Sequence, residues 1–385
     1  MAEETSTGRT TLEKAAAYQK TKRRLALVEF GLLSAYLVAA LAWGWTFFLR
    51  DLAYRAGGGP AVWVLIYFLV GGVVFELATL PLTVFSGYVI ERRYGLMRQS
   101  LRAWTWDLVK AQLVGLVLGL VAVETLYLLF RRAGAAWWLW AGVIFALFFV
   151  VLAQVTPVVI LPLFFKFKKL PEGGLTDRLM LLCRRAGTPV LGVYEWGLAA
   201  KSARANAALV GWGPTRRVVL SDSLLERFTP SEVEVVLAHE LGHHRKGHLW
   251  WLLALQTVLT FVAFYLAGRV FAALGPRLGL GHLADPTGLP LLVLTFLGLG
   301  LLTYPWLNAF SRRLERQADL YALELTGLTG SFISAMERLA AMNLVEIEPN
   351  RVIEFLFHSH PSPGRRIQAA KDFRGLGTAA ADALH

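Results

Sequence analysis

The sequence predicts a mainly α-helical protein, a polytopic membrane bundle of about six spans, with an inserted cytoplasmic metal-binding module that contains a small β-sheet. Three observations carry this expectation. The chain is 56% hydrophobic and only 17% charged, with a mean hydropathy of +0.50, whereas soluble domains average about 25% charged residues. Several stretches exceed the roughly 18 apolar residues that mark a membrane helix. Between them lies a polar, basic segment that closes on Val233 to Trp250, with His239-Glu240-Leu241-Gly242-His243 at its centre.

The elements follow in order. Residues 1–24 form a polar lead that ends in Lys20, Lys22, Arg23 and Arg24. It holds no short apolar region followed by a small-residue cleavage site, so no cleavable signal is expected. A four-span bundle is expected over 25–165, with spans at about Leu25–Leu49, Ala61–Ile90, Leu108–Phe130 and Ala135–Phe165. Gly57-Gly58-Gly59-Pro60 turns the chain after the first, and Pro81 kinks or breaks the second. Trp137, Trp138 and Trp140 suit a membrane interface. Residues 166–248 read as a module outside the bilayer. A helix is expected at Leu175–Ala186, and strands at Val190–Trp196, Asn206–Trp212 and Arg216–Leu220, the last two joined through Gly213-Pro214. Two further spans are expected within 249–310, at about Leu249–Leu274 and Leu289–Phe310. Residues 311–371 are polar and helical to Asn343, and 372–385 form a tail expected to fray.

Lys and Arg crowd the lead, the loop Glu91–Arg102, the module and the segment after the sixth span. Six spans with both ends on that side satisfy the positive-inside rule except at Arg131-Arg132. The net charge of +12 therefore reads as basic loops against the anionic lipid of a bilayer, not as nucleic-acid binding. The single cysteine, Cys183, excludes a disulfide framework and a Cys-rich metal site.

The central pentad points to metal chemistry. Residues four apart lie on one face of a helix, so His239 and His243 can bind one ion, with Glu240 beside them as a carboxylate base. The flanks are helical: Thr229-Pro230-Ser231-Glu232 is a capping box with Pro at the first helical position. Apolar Val233, Val236, Leu237 and Leu241 recur at helical spacing. A catalytic zinc site needs a third protein ligand. The fifth and sixth spans run out and back, so Ser311 to Ala322 returns to the face that the pentad occupies. There Glu315 is the expected third ligand, and Asp319, one turn on, is placed to accept the second ring N–H of a ligand histidine. Taken alone, Arg312, Arg313, Glu315, Arg316 and Asp319 would read as a solvated ion-paired face.

His239-Glu240-Leu241-Gly242-His243 with Gly247-His248, then SRRLERQAD from Ser311 and HSHPSPGRRI from His358 to Ile367, together resemble the type I CaaX prenyl protease family of integral-membrane zinc metalloendopeptidases. Leu80–Leu96, Leu161–Gly173, ANAALVGW and RRVVLSDSLL extend the likeness over about Leu80–Ala369. The resemblance implies one Zn2+ on His239, His243 and Glu315, with Glu240 as general base and Asp319 orienting a histidine. His360 and Arg366 would hold the substrate backbone or the developing oxyanion. Asn206 and Ala207 would lie on a strand edge to which an extended peptide adds. His244 and His248 are expected outside the ligand set. The chain departs from the family in lacking an extra first span and a long acidic insertion, and in reading Ala-Ala after Asn206. The implied substrates are CaaX-type or damaged, membrane-associated polypeptides at a bacterial inner membrane. Two other functions fit less well: a catalytically silent scaffold keeping zinc, which has no need of Glu240, and a zinc transporter, whose ligands would lie inside the spans. Of the polar groups within apolar runs, Glu76, Glu124 and Gln154 are expected to line an intramembrane chamber, whereas Glu29, Lys110 and Arg269 snorkel.

Overall fold

The computed structural model describes residues 2–382 apart from 212, with side chains described for 12–373 except 212 and 214. Helix α1, Ala2–Ala42, runs unbroken through the polar lead into the first span. The lead continues as helix because it has something to pack on: Ala15 and Tyr18 are buried against Ile90, Leu96 and Leu344. Gly44, in the left-handed region at φ +73°, turns the chain into α2, Trp45–Arg55. Helix α3 spans Pro60–Val84 with Pro81 inside it. Pro81 cannot donate to the carbonyl four residues back, and the ladder widens into a π turn at Phe85–Val89 before α4, Ile90–Arg93. Pro81 thus bends the second span without ending it. Helix α5, Leu101–Arg132, starts on the Ser100 side chain, which accepts from the Ala103 N–H. Helix α6, Trp137–Val155, passes through a second π turn at Thr156–Ile160, which holds Pro157, into α7, Leu161–Phe164.

The module then begins with β1, Phe167–Lys169, a strand that sequence periodicity does not announce because it is three residues long and two of them are lysines. It is followed by α8, Gly174–Arg185; β2, Val193–Trp196; β3, Ala207–Val210; β4, Arg217–Ser221; and α9, Asp222–Arg227. The strands order β1-β2-β4-β3. The β1–β2 and β4–β3 pairs are antiparallel and the β2–β4 pair is parallel. β3 is shorter than expected and lies at the sheet edge. A 3-10 turn at Gly213–Thr215 precedes β4.

Helix α10, Pro230–Arg245, carries the pentad and ends at Gly247, whose φ of +66° makes a corner into α11, His248–Leu274. Helix α12, Leu289–Thr326, is continuous from the sixth span through Glu315 and Asp319. Helices α13, Thr329–Asn343; α14, Arg351–Phe357; and α15, Pro363–Asp382, complete the chain. The side chains beyond 373, where fraying is expected, lie outside the described residues. The module's core joins Leu179, Leu182, Val218, Leu220 and Leu224 to Val233, Leu237 and Leu241 of α10 and to Phe332 of α13. The periodic apolar positions of α10 are therefore its buried face.

Among the described residues, six helices are long and apolar enough to cross a membrane: Leu12–Ala42, Pro60–Arg93, Leu101–Arg132, Gly134–Phe164, His248–Leu274 and Pro286–Thr326. Their outer faces expose Leu77, Leu113, Leu147, Val158, Val258 and Leu302, an arrangement that suits lipid and is costly in water. Between the spans lies a cavity of about 1040 Å3, lined by Phe145, Phe149, Phe264, Leu292 and Phe296 with Gln256 and Thr260. Glu76, Glu124 and Gln154, expected to line an intramembrane chamber, are not among the residues that line this cavity. Glu76 instead accepts a 2.5 Å hydrogen bond from Gln112, tying α3 to α5. Lys110 reaches the Leu163 carbonyl at 2.9 Å, as a snorkelling side chain does.

The start of α10 is fixed by the capping box. Glu232 accepts from the Thr229 N–H at 2.8 Å and from Ser334 Oγ at 2.6 Å, and pairs with Arg338 at 3.1 Å. Burial pushes the Glu232 carboxyl up, but these donors and the Arg338 charge outweigh it and hold it below its ordinary value. A depressed folded-state pKa stabilises above the unfolded carboxylate range, and that stability is lost as pH falls through the folded value. Glu232→Gln is therefore expected to cost about 1–2 kcal/mol near neutrality. Its deficit in apparent melting temperature in detergent should shrink below about pH 4. An equal deficit at all pH values would show that the carboxylate charge is irrelevant.

Candidate active site

Two helices make the site. On α10, His239 and His243 project from one face one turn apart, with ring centroids 4.7 Å from each other. On α12, Glu315 and Asp319 do the same toward them. The helices come this close because position 242 has no side chain: a Cβ there would meet the Ala318 Cα at 3.0 Å and its carbonyl oxygen at 3.1 Å. Ala318, fully buried, is small for the same reason.

The resulting distances describe a ligand triangle. His239 Nε2 lies 3.1 Å from His243 Nε2 and 3.4 Å from Glu315 Oε2, and His243 Nε2 lies 3.3 Å from Glu315 Oε1. His239, His243 and Glu315 form the cluster able to hold a metal among the described residues. Tetrahedral ligands about 2.0–2.1 Å from a zinc ion sit roughly 3.3–3.4 Å apart. The donor set, two imidazoles and one carboxylate, is a known zinc combination. Glu315 Oε2 is also buried and makes no well-angled hydrogen bond, although His360 Nδ1 stands 2.8 Å from it. An acceptor left open toward two ring nitrogens fits a cation between them, so the residues present suit the metal.

The far sides of both imidazoles are tied down. His239 Nδ1 is 2.9 Å from Asp319 Oδ1, which leaves its Nε2 lone pair toward the triangle. Asp319 is held in turn by Arg366, whose Nε and Nη2 donate at 2.9 and 2.6 Å. Two of the Arg366 donors serve Asp319 in this way, and the side chain also lines the cleft beside the triangle. His243 Nδ1 is 2.9 Å from His248 Nδ1, and His248 Nε2 is 3.1 Å from Gln317 Oε1. Helical spacing does not reveal this second tether, because the Gly247 corner lies between the two histidines. Burial draws the His239 pKa down, but the Asp319 and Glu315 carboxylates prevail and push it up to about 9. Burial raises the Glu240 carboxyl above its ordinary value, against the opposing pull of His239 and His243.

A cleft of about 450 Å3 opens beside the triangle. Asn206, Ala207, His239, Glu240, His360 and Arg366 all line it. The segment bearing His360 is not a free loop. Arg312 Nη1 donates to the Glu354 and His358 carbonyls at 3.0 and 2.5 Å, Asn308 donates to the Leu356 carbonyl at 3.0 Å, and Glu354 accepts from the Ser362 N–H at 3.1 Å. The local charge pattern, taken alone, would place Arg312 on a solvated face. It is buried, with carbonyl partners that no local pattern could reveal.

Six helices long and apolar enough to cross a bilayer, joined to a His-Glu-x-x-His helix completed by a distant glutamate, define a membrane-embedded zinc metalloendopeptidase. Comparisons with known proteins agree. Residues 4–166 match the pattern described as CAAX prenyl protease N-terminal, five membrane helices, and residues 170–374 match peptidase family M48. The chain is 30% identical to the uncharacterized metalloprotease YhfN of Bacillus subtilis, over 78% of this chain and 71% of that one. It is 27% identical to CAAX prenyl protease 1 of Saccharomyces cerevisiae, over 77% and 70% of the two chains. The crystal structure of S. mikatae Ste24p shares the fold, with a TM-score of 0.85 and 22% identity over 94% of this chain and 89% of that one. The chain belongs to peptidase family M48, and it is an integral membrane protein that acts on peptides or proteins.

Gly242→Val is expected to force α12 away from α10 and lower zinc affinity by tenfold or more in chelator competition, while helicity persists. Unchanged affinity would show that the close approach at Ala318 is not needed.

Proposed function

We propose that His239, His243 and Glu315 hold one zinc ion per chain and that Glu240 is the general base of peptide hydrolysis. The observation that carries this is the triangle of ring and carboxylate atoms with Glu240 on the adjoining cleft wall. Zinc, when bound there, supplies a Lewis acid that activates water and polarises a carbonyl. The chain's own residues do the rest. Glu240, ionised, takes the proton of the attacking water and later gives it to the leaving amine. Asp319 fixes the ring of His239, and Arg366 fixes Asp319, so both are positioning residues. His360, with 62% of its side chain exposed, faces the cleft and is placed to donate to the oxyanion as it forms, a contact often worth about 3 kcal/mol.

The substrate enters as an extended strand. β3 is at the sheet edge. The Asn206 carbonyl turns toward β4, accepting from the Ser221 N–H at 2.9 Å, so the neighbouring Ala207 presents its backbone outward. A peptide adds there by main-chain hydrogen bonds. The relatives named CAAX prenyl protease 1 support substrates of CaaX type, and the apolar spans support damaged or membrane-associated polypeptides. The basic lead and loops support a cytoplasmic site with both termini on that side, in a bacterial inner membrane. A silent zinc-bound scaffold is disfavoured by Glu240, which such a protein would not require.

Mass-spectrometric profiling of native membranes, wild type against Glu240→Gln, tests the reading. Wild type should generate new peptide termini that the variant lacks by at least a hundredfold, with zinc content equal in both. Equal cleavage by the two proteins would refute the base assignment.

A further inference from the structure

The open edge of β3 has an end, and the structure shows what makes it. In an antiparallel pair, residues alternate between facing the partner strand and facing away. Asn206 faces β4 through its carbonyl, and its N–H donates to Ser221 Oγ at 2.9 Å. Ala205 and Ala207 therefore point their backbone groups toward the cleft. At Ala207 the N–H is lightly engaged by its neighbour Asn206 Oδ1 at 2.9 Å, and the carbonyl is open. At Ala205 both groups are taken. Its N–H donates to Asn343 Oδ1 at 3.1 Å, and its carbonyl accepts from Asn343 Nδ2 at 3.3 Å. A single side-chain amide thus occupies the two positions that the backbone of a paired peptide would occupy.

Asn343 is braced for this. It ends α13, and Leu344 after it adopts φ +50°, the sole positive φ at a non-glycine residue among the described residues. A leucine there is strained, and persists only where surroundings enforce it. Here the Leu344 side chain is buried against Ala15, Tyr18, Ile90 and Leu96, and its carbonyl accepts from Gln19 of α1 at 2.8 Å. Gln19, Ala205, Asn343 and Val345 line one end of the cleft that holds Glu240.

We infer that Asn343, braced by Leu344 and Gln19, is a specificity-determining residue: a stop that ends substrate pairing at Ala205 and limits how much chain lies on that side of the cut. The inference rests on the reading of β3 as the substrate strand. Hydrogen-bonded pairs recur every two residues, so a peptide held at Ala207 can run about two residues further before meeting the Asn343 amide. Among the described residues, no such side-chain amide is bonded to the outward backbone groups of Leu209, toward the other end of β3.

The test uses full-length protein with zinc in detergent and two peptide series, one lengthened residue by residue at the N-terminal end and one at the C-terminal end. Wild type is expected to show a sharp length limit in one series only, with turnover falling tenfold or more past it. Asn343→Ala should move that limit outward by about two residues, and cut sites in a long peptide should spread accordingly. Gln19→Ala, which loosens the same wall from α1, should move it in the same direction if Asn343→Ala folds poorly. A general fall in kcat with the length limit and cut sites unmoved would assign Asn343 a structural role only and overturn the inference. So would the absence of a limit in both wild-type series. Failure of wild type to cut any peptide in either series would overturn the endopeptidase reading beneath it.

Discussion

The contact between Gly242 and Ala318 governs the rest of the molecule. Two helices whose backbones nearly touch place four polar side chains, His239, His243, Glu315 and Asp319, into a volume that no single helix could fill. Every hydrogen bond at the triangle depends on that spacing. A methyl group at position 242 would open it, because what the methyl would meet is backbone, which cannot swing aside as a side-chain tip can. The glycine inside the pentad is therefore as much a part of the metal site's construction as the histidines are.

The site is also built from far more of the chain than its ligands. Asp319 leans on Arg366 from α15, His243 leans on His248 at the head of α11, and His360 sits in a segment tied by Arg312, Asn308 and Glu354. These supports are mostly buried charges or amides with two or more partners each, the condition under which buried polar groups hold a geometry rather than weaken it. They arrange the site as a ring of elements around the cleft, with the membrane helix α12 as a structural member and not merely as an anchor.

Much of this was legible in the sequence, for definable reasons. The pentad, its capping box and the apolar stripe of α10 are local patterns, and local patterns survive in one dimension. The six spans are read from length and apolarity alone. Glu315 was reachable because an out-and-back pair of spans has to return the chain to where it left. What escaped depends on contacts between distant elements. β1 is too short to show a period. Arg312 looked like a surface charge because its carbonyl partners lie some forty residues on. Gln154, Glu76 and Glu124 read as chamber-lining because a polar residue in a span needs a partner or water. The sequence could not show that Gln112 answers Glu76 from the neighbouring helix, or that Gln256 and Thr260 are polar residues on the cavity wall. The Asn343 wall arises from three segments that sequence order keeps apart.

The continuity of α12 bears on how the protein comes into being. Its upper part must pass through the bilayer before its lower part can lie beside α10. A nascent chain carries His239, Glu240 and His243 long before it carries Glu315, and it has no complete ligand set until the last hairpin has threaded and folded back. Assembly of the ligand triangle therefore waits on the docking of α12 against α10, and until then His239 and His243 stand without Glu315 beside them.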